Sequence, residues 1–205
     1  MKLKWCWRVG VLFLATLVLA FPDPAQRAVV LPAQVSVQGL SGAETTGRWP
    51  KHRGALLFFL DRECPVSNGY APEMARLAQL AHNGKLAVLG IYSDPSTTIQ
   101  EAVRHAKEHA LGIDVVLDHA QRLATASGVA IVPQAVIADP EGRIVYRGRI
   151  NDQYTPDGTR RLMATCNDLR NALEAFLANK PVPQAGGKPF GCPLPTPPNA
   201  ASPRK

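Results

Sequence analysis

The sequence predicts an α/β domain in which a mixed sheet is flanked by helices on both faces. Two continuous apolar runs, Ala55–Leu60 and 86–91, are each followed by a helical pattern, as is typical of parallel strands buried on both faces. Two later runs, Gln134–Ala138 and 144–149, are separated only by the turn-forming residues 139–142, which predicts antiparallel neighbours. This order of elements indicates a single mixed sheet.

The remaining elements follow from local spacing. Helices are predicted over 68–81, ended by Asn83-Gly84, over 98–110, where Thr98 and Glu101 form a capping-box pattern, and over 119–127. A short strand is predicted at 115–117, and a β-hairpin extension within 29–53. A long final helix over 159–178 is predicted from an apolar face made of Leu162, Cys166, Leu169, Leu173 and Phe176.

The N-terminal segment has the pattern of an export signal. Lys2, Lys4 and Arg8 precede an apolar run at 9–20 that is short for a membrane span, and small residues follow at the usual cleavage positions. We therefore expect residues 1–28 to be a signal peptide and linker, and the protein to be periplasmic or extracellular. An uncleaved membrane anchor is the alternative.

Composition fits one globular domain, since the chain is 46% apolar and 19% charged over 205 residues. We assign this domain to residues 29–180. Residues 181–205 form a tail with eight prolines, a content that excludes a helix or a central strand. Removal of the signal peptide lowers the formal net charge from +7 to about +4, and the remaining basic residues are scattered. This distribution gives no nucleic-acid-binding surface.

Three cysteines remain after the signal segment, in a compartment that permits disulfides. Cys64 lies where a buried strand gives way to a helix, a position where unpaired N–H groups and the helix dipole stabilise a thiolate. Pro65 suits the first helical turn, and Arg62 is a cation near the thiolate, while Glu63 opposes it. A buried structural cysteine is the alternative for Cys64. We expect Cys166 to belong to the core.

The surroundings of Cys64 resemble the thioredoxin pattern. Phe59 stands five residues before the cysteine and Pro72 eight residues after it, as around the nucleophilic cysteine of thioredoxins. Val132-Pro133 stands just before a strand, where that family has its cis-proline. The resemblance implies a thioredoxin-like fold in which Pro133 packs against the sulfur of Cys64.

A closer resemblance is to redoxins of the alkyl hydroperoxide reductase and thiol-specific antioxidant group. It is carried by Cys64-Pro65 with Asn68, Tyr70, Pro72 and Glu73, by the segment 139–150, and by Gly191-Cys192. The resemblance implies thiol chemistry without a cofactor, with Cys64 as nucleophile and with Pro65, Asn68 and Tyr70 near the substrate. Cys192 is the candidate resolving thiol, although a free or intermolecular thiol is equally compatible with the tail.

Several positions depart from the related patterns. Ser67 replaces the second cysteine of thioredoxins, while Leu57, Asp61 and Pro133 replace the proline, hydroxyl residue and arginine with which peroxiredoxins activate peroxide. We therefore predict an exported thiol-disulfide oxidoreductase that acts on protein or small-molecule disulfides and receives electrons from a thiol donor. A thiol peroxidase acting on peroxides is the alternative. A copper-delivery protein, disfavoured by Leu60, and a non-catalytic binding module rank lower.

Two polar features receive no chemical role from the sequence. His105 and His109 stand four apart on a predicted helix, but no third ligand accompanies them, so we predict a solvated helix face and no metal site. Asn151-Asp152 follows the last predicted strand, near Tyr154 and Asp157, in a segment that also occurs in the related redoxins. We predict a solvated loop there.

Overall fold

The central strand of the sheet, β2 (Ala55–Leu60), has all six side chains buried. The computed structural model describes residues 30–31, 38–39, 49, 51–182 and 187–195. Strand β2 pairs in parallel with β3 (Ala87–Tyr92) and antiparallel with β6 (Gln134–Ala138). A strand with neighbours on both sides and helices over both faces excludes water, which is why its sequence is continuously apolar.

The outer strands complete a six-stranded mixed sheet within the described ranges, in the order β1-β4-β3-β2-β6-β7. Strand β4 (Asp114–Leu117) runs parallel to β3, and β7 (Ile144–Gly148) is antiparallel to β6 after the predicted turn. Strand β1 (Gln38–Gly39) pairs antiparallel with β4. The rest of the predicted hairpin, including its turn at 41–42, and the signal segment lie outside the described residues.

Three of the four predicted helices begin and end close to their predicted bounds. Helix α1 (Pro65–Asn83) begins at the proline next to the cysteine. Helix α2 (Ile99–Glu108) has the predicted capping box, because the N–H of Glu101 donates to Thr98 Oγ1 and the N–H of Thr98 donates to Glu101 Oε2. Helix α3 (Arg122–Ser127) ends at Gly128, whose φ of 65° favours glycine.

The predicted start of the final helix is wrong. Helix α4 (Asp168–Leu177) begins nine residues later than predicted, and Leu162 is 99% exposed. Cys166, predicted to lie in the core, is a free and exposed thiol. The cause is Asp152, whose carboxylate accepts the N–H groups of Thr165 and Cys166 and so gives that backbone a partner other than a helix. The predicted apolar face holds only from Leu169 onward, and Leu173 is also buried.

The C-terminal tail adds a separate two-stranded sheet. Strand β8 (Cys192–Pro193) pairs antiparallel with β5 (Ile131–Val132), which directly precedes β6. This short edge pairing agrees with a proline-rich segment, since proline is tolerated at sheet edges. None of the helices in the described stretches is long and apolar enough to span a membrane.

Candidate active site

Cys64 lies at the predicted junction, where the loop after β2 enters α1. It is the N-cap residue of α1, with Pro65 at the first helical position, and its side chain is 2% exposed. The N–H of Asn68 donates to the carbonyl oxygen of Cys64 at 3.1 Å, which is the first hydrogen bond of the helix. The sulfur therefore belongs to the helix end where free N–H groups favour an anion.

The structure joins Cys64 and Cys192 in a disulfide. Their Cα atoms lie 6.0 Å apart across a sequence separation of 128 residues, within the span that a disulfide requires. The sulfur of Cys64 is also 3.5 Å from the carbonyl oxygen of Val132, and the Val132–Pro133 peptide bond is cis. The fold thus brings together three features that the sequence suggested separately: the junction cysteine, the cis-proline segment and the tail cysteine.

Backbone pairing holds the tail in this position. Cys192 lies opposite Val132 in the antiparallel register, and the N–H of Leu194 donates to the carbonyl oxygen of Ala130 at 2.9 Å. The side-chain amide of Gln121 donates to the carbonyl oxygen of Pro195. A Cβ at Gly191 would overlap the carbonyl oxygen of Val132, so this close approach requires glycine.

The tail is also attached before it reaches the cysteine. The carbonyl oxygen of Gly187 accepts the N–H of Arg149 at 3.4 Å, and its N–H lies 3.4 Å from a carboxylate oxygen of Asp168. Arg149 and Asp168 are themselves paired at 2.7 Å. Phe190 packs partly buried against the core. The disulfide is therefore one of several contacts along 187–195.

The three residues expected near the substrate have different surroundings. Pro65 is exposed at the start of α1, whereas the Asn68 side chain is held by partners inside the protein. Tyr70 is buried, and its hydroxyl donates to the carbonyl oxygen of Asn151 at 3.0 Å. Burial raises the pKa of Tyr70 to about 12, so it stays a neutral phenol. Substrate binding by these residues stays a prediction.

The segment Asn151-Asp152 is buried, and the predicted solvated loop is wrong. Asp152 accepts hydrogen bonds from the N–H of Cys166, from the hydroxyl and N–H of Thr165, and from the guanidinium of Arg161. Burial alone would raise the pKa of Asp152, but these donors together hold it well below its usual value. The partners come from 161–166, which the sequence had assigned to a helix.

His105 is also buried, which corrects the predicted solvated face of α2. One ring nitrogen lies 2.7 Å from the hydroxyl of Tyr92, and the other lies 2.8 Å from Asn68 Oδ1. The ring of His109 is 4.6 Å away. The described residues contain no group of three or more metal-binding side chains. Ala102 and Ala106, three residues before His105 and one after it, were the missed signal of a buried face.

The charges near Cys64 are already paired. The guanidinium of Arg62 lies 2.9 Å from Glu63 and 3.9 Å from Glu101, so these carboxylates offset the positive charge that the sequence assigned to a thiolate at Cys64. The helix end is then the main feature that favours the anion.

Three solved structures are similar to this chain over most of its length. A structure of a hypothetical protein from Sinorhizobium meliloti 1021 has 26% identity and a TM-score of 0.68, covering 80% of this chain and 92% of that one. A conserved protein from Geobacillus kaustophilus has 23% identity and a TM-score of 0.69, covering 83% and 93%. The thioredoxin domain of a Bacteroides vulgatus thiol-disulfide oxidoreductase has 17% identity and a TM-score of 0.53, covering 72% and 95%.

The similarity to the Bacteroides vulgatus domain shows a thioredoxin-like fold and nothing finer. None of the curated protein sequences matches the chain significantly. The model of the AhpC/TSA family matches residues 34–147, which include Cys64, the cis-proline and most of the strand pair after it. Because this match covers more than half of the chain, the protein belongs to the AhpC/TSA family.

Proposed function

We propose that the protein is an exported thiol-disulfide oxidoreductase that cycles Cys64 and Cys192 between a dithiol and a disulfide. The observation that carries this proposal is the disulfide between the helix N-cap and a tail paired beside the cis-proline. A structural disulfide would not require a cysteine at a helix N-terminus, whereas redox chemistry benefits from the stabilised thiolate that this position gives.

The proposed cycle starts from the reduced protein. The Cys64 thiolate attacks one sulfur of a substrate disulfide, which forms a mixed disulfide and releases one substrate thiolate. The Cys192 thiolate then attacks the Cys64 sulfur, which releases the second substrate thiolate and forms the Cys64–Cys192 disulfide. A thiol donor then reduces the Cys64–Cys192 disulfide by thiol–disulfide exchange and is itself oxidised to a disulfide. The substrate is thereby reduced by two electrons.

Resolution by the tail follows from the residues near Cys64. Ser67, at the position of the second cysteine of thioredoxins, is fully buried, and its hydroxyl lies 3.4 Å from the N–H of Asp61. It supplies no thiol. Cys192 is only partly buried and is held against β5 by backbone hydrogen bonds, so the tail supplies the missing sulfur. Tethering raises the effective concentration of that sulfur far above that of a free thiol.

Export forms part of the proposal and rests on the N-terminal sequence pattern. A disulfide between Cys64 and Cys192 persists in a secreted or periplasmic protein, while cytosolic thiol systems reduce most such bonds. Cleavage after the apolar run would leave Cys64, Cys166 and Cys192 as the cysteines of the mature chain.

The test compares two substrates with the same preparation. The protein without residues 1–28 is assayed for insulin reduction and for hydrogen peroxide consumption, with dithiothreitol as donor. We expect insulin reduction with the donor present, and we expect pre-reduced Cys192→Ser, incubated with insulin after the donor is removed, to accumulate a mixed disulfide at Cys64. Rapid peroxide consumption with sulfenic acid at Cys64, and no insulin reduction, would replace the proposal with the peroxidase alternative.

A further inference from the structure

A continuous chain of hydrogen bonds connects β3 to the loop that delivers Cys64. The hydroxyl of Tyr92 lies 2.7 Å from His105 Nδ1, and His105 Nε2 lies 2.8 Å from Asn68 Oδ1. Asn68 Nδ2 then donates to the carbonyl oxygen of Arg62 at 3.1 Å. Tyr92 is fully buried and His105 is 7% exposed, so water competes little for these bonds.

Every hydrogen bond in this series is donated in the same direction, from Tyr92 towards Arg62. Burial raises the pKa of Tyr92, so its hydroxyl keeps its proton, and His105 is its one hydrogen-bond partner among the described residues. Nδ1 of His105 therefore accepts, Nε2 carries the ring hydrogen, and Asn68 presents its oxygen to the ring. Burial, then the neighbouring His109 and Arg62, lower the pKa of His105 to about 4, which keeps the ring neutral as this arrangement requires.

The last hydrogen bond of this series ends in the four-residue loop between β2 and α1. The carbonyl of Arg62 stands two residues before Cys64, and the backbone N–H of Asn68 donates to the carbonyl of Cys64 itself. Asn68, in the first turn of α1, thus donates hydrogen bonds to two carbonyl oxygens of the loop that carries Cys64. Within the described residues, one further hydrogen bond joins the loop to α1: the N–H of Asp61 lies 3.4 Å from the hydroxyl of Ser67.

We propose that Tyr92, His105 and Asn68 form a positioning chain that sets the reactivity of the Cys64 thiol by fixing the preceding loop against the start of α1. When the chain is broken, Cys64 moves away from the free N–H groups of the helix and its thiolate loses their stabilisation. The inference deepens the proposed function, because it concerns the same sulfur.

The test measures the pKa of Cys64 directly. In a full-length chain with Cys6, Cys166 and Cys192 replaced by serine, the rate of iodoacetamide alkylation against pH gives the pKa of the remaining thiol. We expect His105→Leu to raise this pKa by about one unit, the size of a favourable helix-terminus effect. His105→Gln can accept from Tyr92 and donate to Asn68, so most of the shift should disappear. His82→Leu, an exposed histidine in the last turn of α1, is the matched control and should leave the value unchanged.

Three results would overturn the proposal: an unchanged pKa of Cys64 in His105→Leu, equal shifts in the leucine and glutamine variants, or an equal shift in the His82 control. A lower melting temperature with an unchanged pKa of Cys64 would mean that Tyr92, His105 and Asn68 only stabilise the fold, and it counts against the proposal. If His105→Leu does not fold, Tyr92→Phe removes only the hydroxyl and should give a smaller shift in the same direction. Alkylation requires no turnover, so absence of insulin reduction would end the proposed function and leave this inference standing.

Discussion

Cys64 and Cys166 both stand at the entrance to a helix, yet the two cysteines have different surroundings. Cys64 is the N-cap of α1, is buried, and is bonded to the tail beside the cis-proline. Cys166 stands two residues before the start of α4, is free and exposed, and its N–H donates to Asp152. The difference shows that proximity to a helix start does not by itself decide the burial or the bonding of a cysteine. Only at Cys64 does a strand of the tail bring a second sulfur within bonding distance.

The largest effect on activity is expected when the two cysteines are each replaced by serine and the variants are compared. Cys64→Ser should abolish thiol-dependent insulin reduction, because serine cannot form the mixed disulfide. Cys166→Ser, the matched control, should keep nearly all of the activity, since the exposed thiol has no sulfur partner among the described residues. Initial rates at equal concentrations provide the measurement. Loss of activity in the Cys166 variant alone would show that the nucleophile is wrongly assigned.

A smaller effect is expected when the tail is displaced and both cysteines are kept. Gly191→Ala places a Cβ against the carbonyl oxygen of Val132, so β8 cannot keep its register with β5. We expect the Cys64–Cys192 disulfide to form about tenfold more slowly, a loss of about 1.4 kcal/mol in the alignment of the two sulfurs.

The rate is followed by acid quenching and mass spectrometry of the linked peptides. Gly112→Ala is the control, because a Cβ there meets no atom within 4 Å, although its φ of 62° also disfavours alanine. Equal rates in the Gly191 variant and the parent would show that pairing with β5 does not assist disulfide formation.

The smallest effect concerns the surroundings of Cys166. Asp152→Asn removes the charge that receives bonds from Arg161, Thr165 and Cys166, and should lower the free energy of unfolding by about 2 kcal/mol. Insulin reduction should change little. Asp157→Asn, on the exposed part of the same loop, is the control and should have a smaller effect.

The pH dependence of the free energy of unfolding also tests the role of Asp152. The folded protein holds the pKa of Asp152 below its ordinary value of 3.8, so its contribution is present above that value and is lost as the pH falls further. The parent should therefore lose more stability than Asp152→Asn on acidification below about pH 5. Parallel denaturation curves for the two proteins across this range would contradict the assigned role of Asp152.

The sequence predicted those parts of the molecule that depend on short-range pattern. The continuous apolar run Ala55–Leu60 identified the central strand, because only a strand covered on both faces tolerates six buried side chains in succession. Thr98 with Glu101 identified the start of α2, because a capping box closes within four residues. The junction at Cys64 followed from the end of one pattern and the start of the next.

Tertiary structure decided what depends on groups distant in the chain. Asp152 binds backbone N–H groups more than ten residues away and so delays the start of α4, which no periodicity within 159–178 records. His105 is buried because Tyr92 and Asn68 satisfy both ring nitrogens, so a polar side chain enters the protein without the cost of an unpaired group. Cys192 meets Cys64 because β8 pairs with β5 beside the cis-proline, and this pairing joins segments that are distant in the chain, so no local pattern records it.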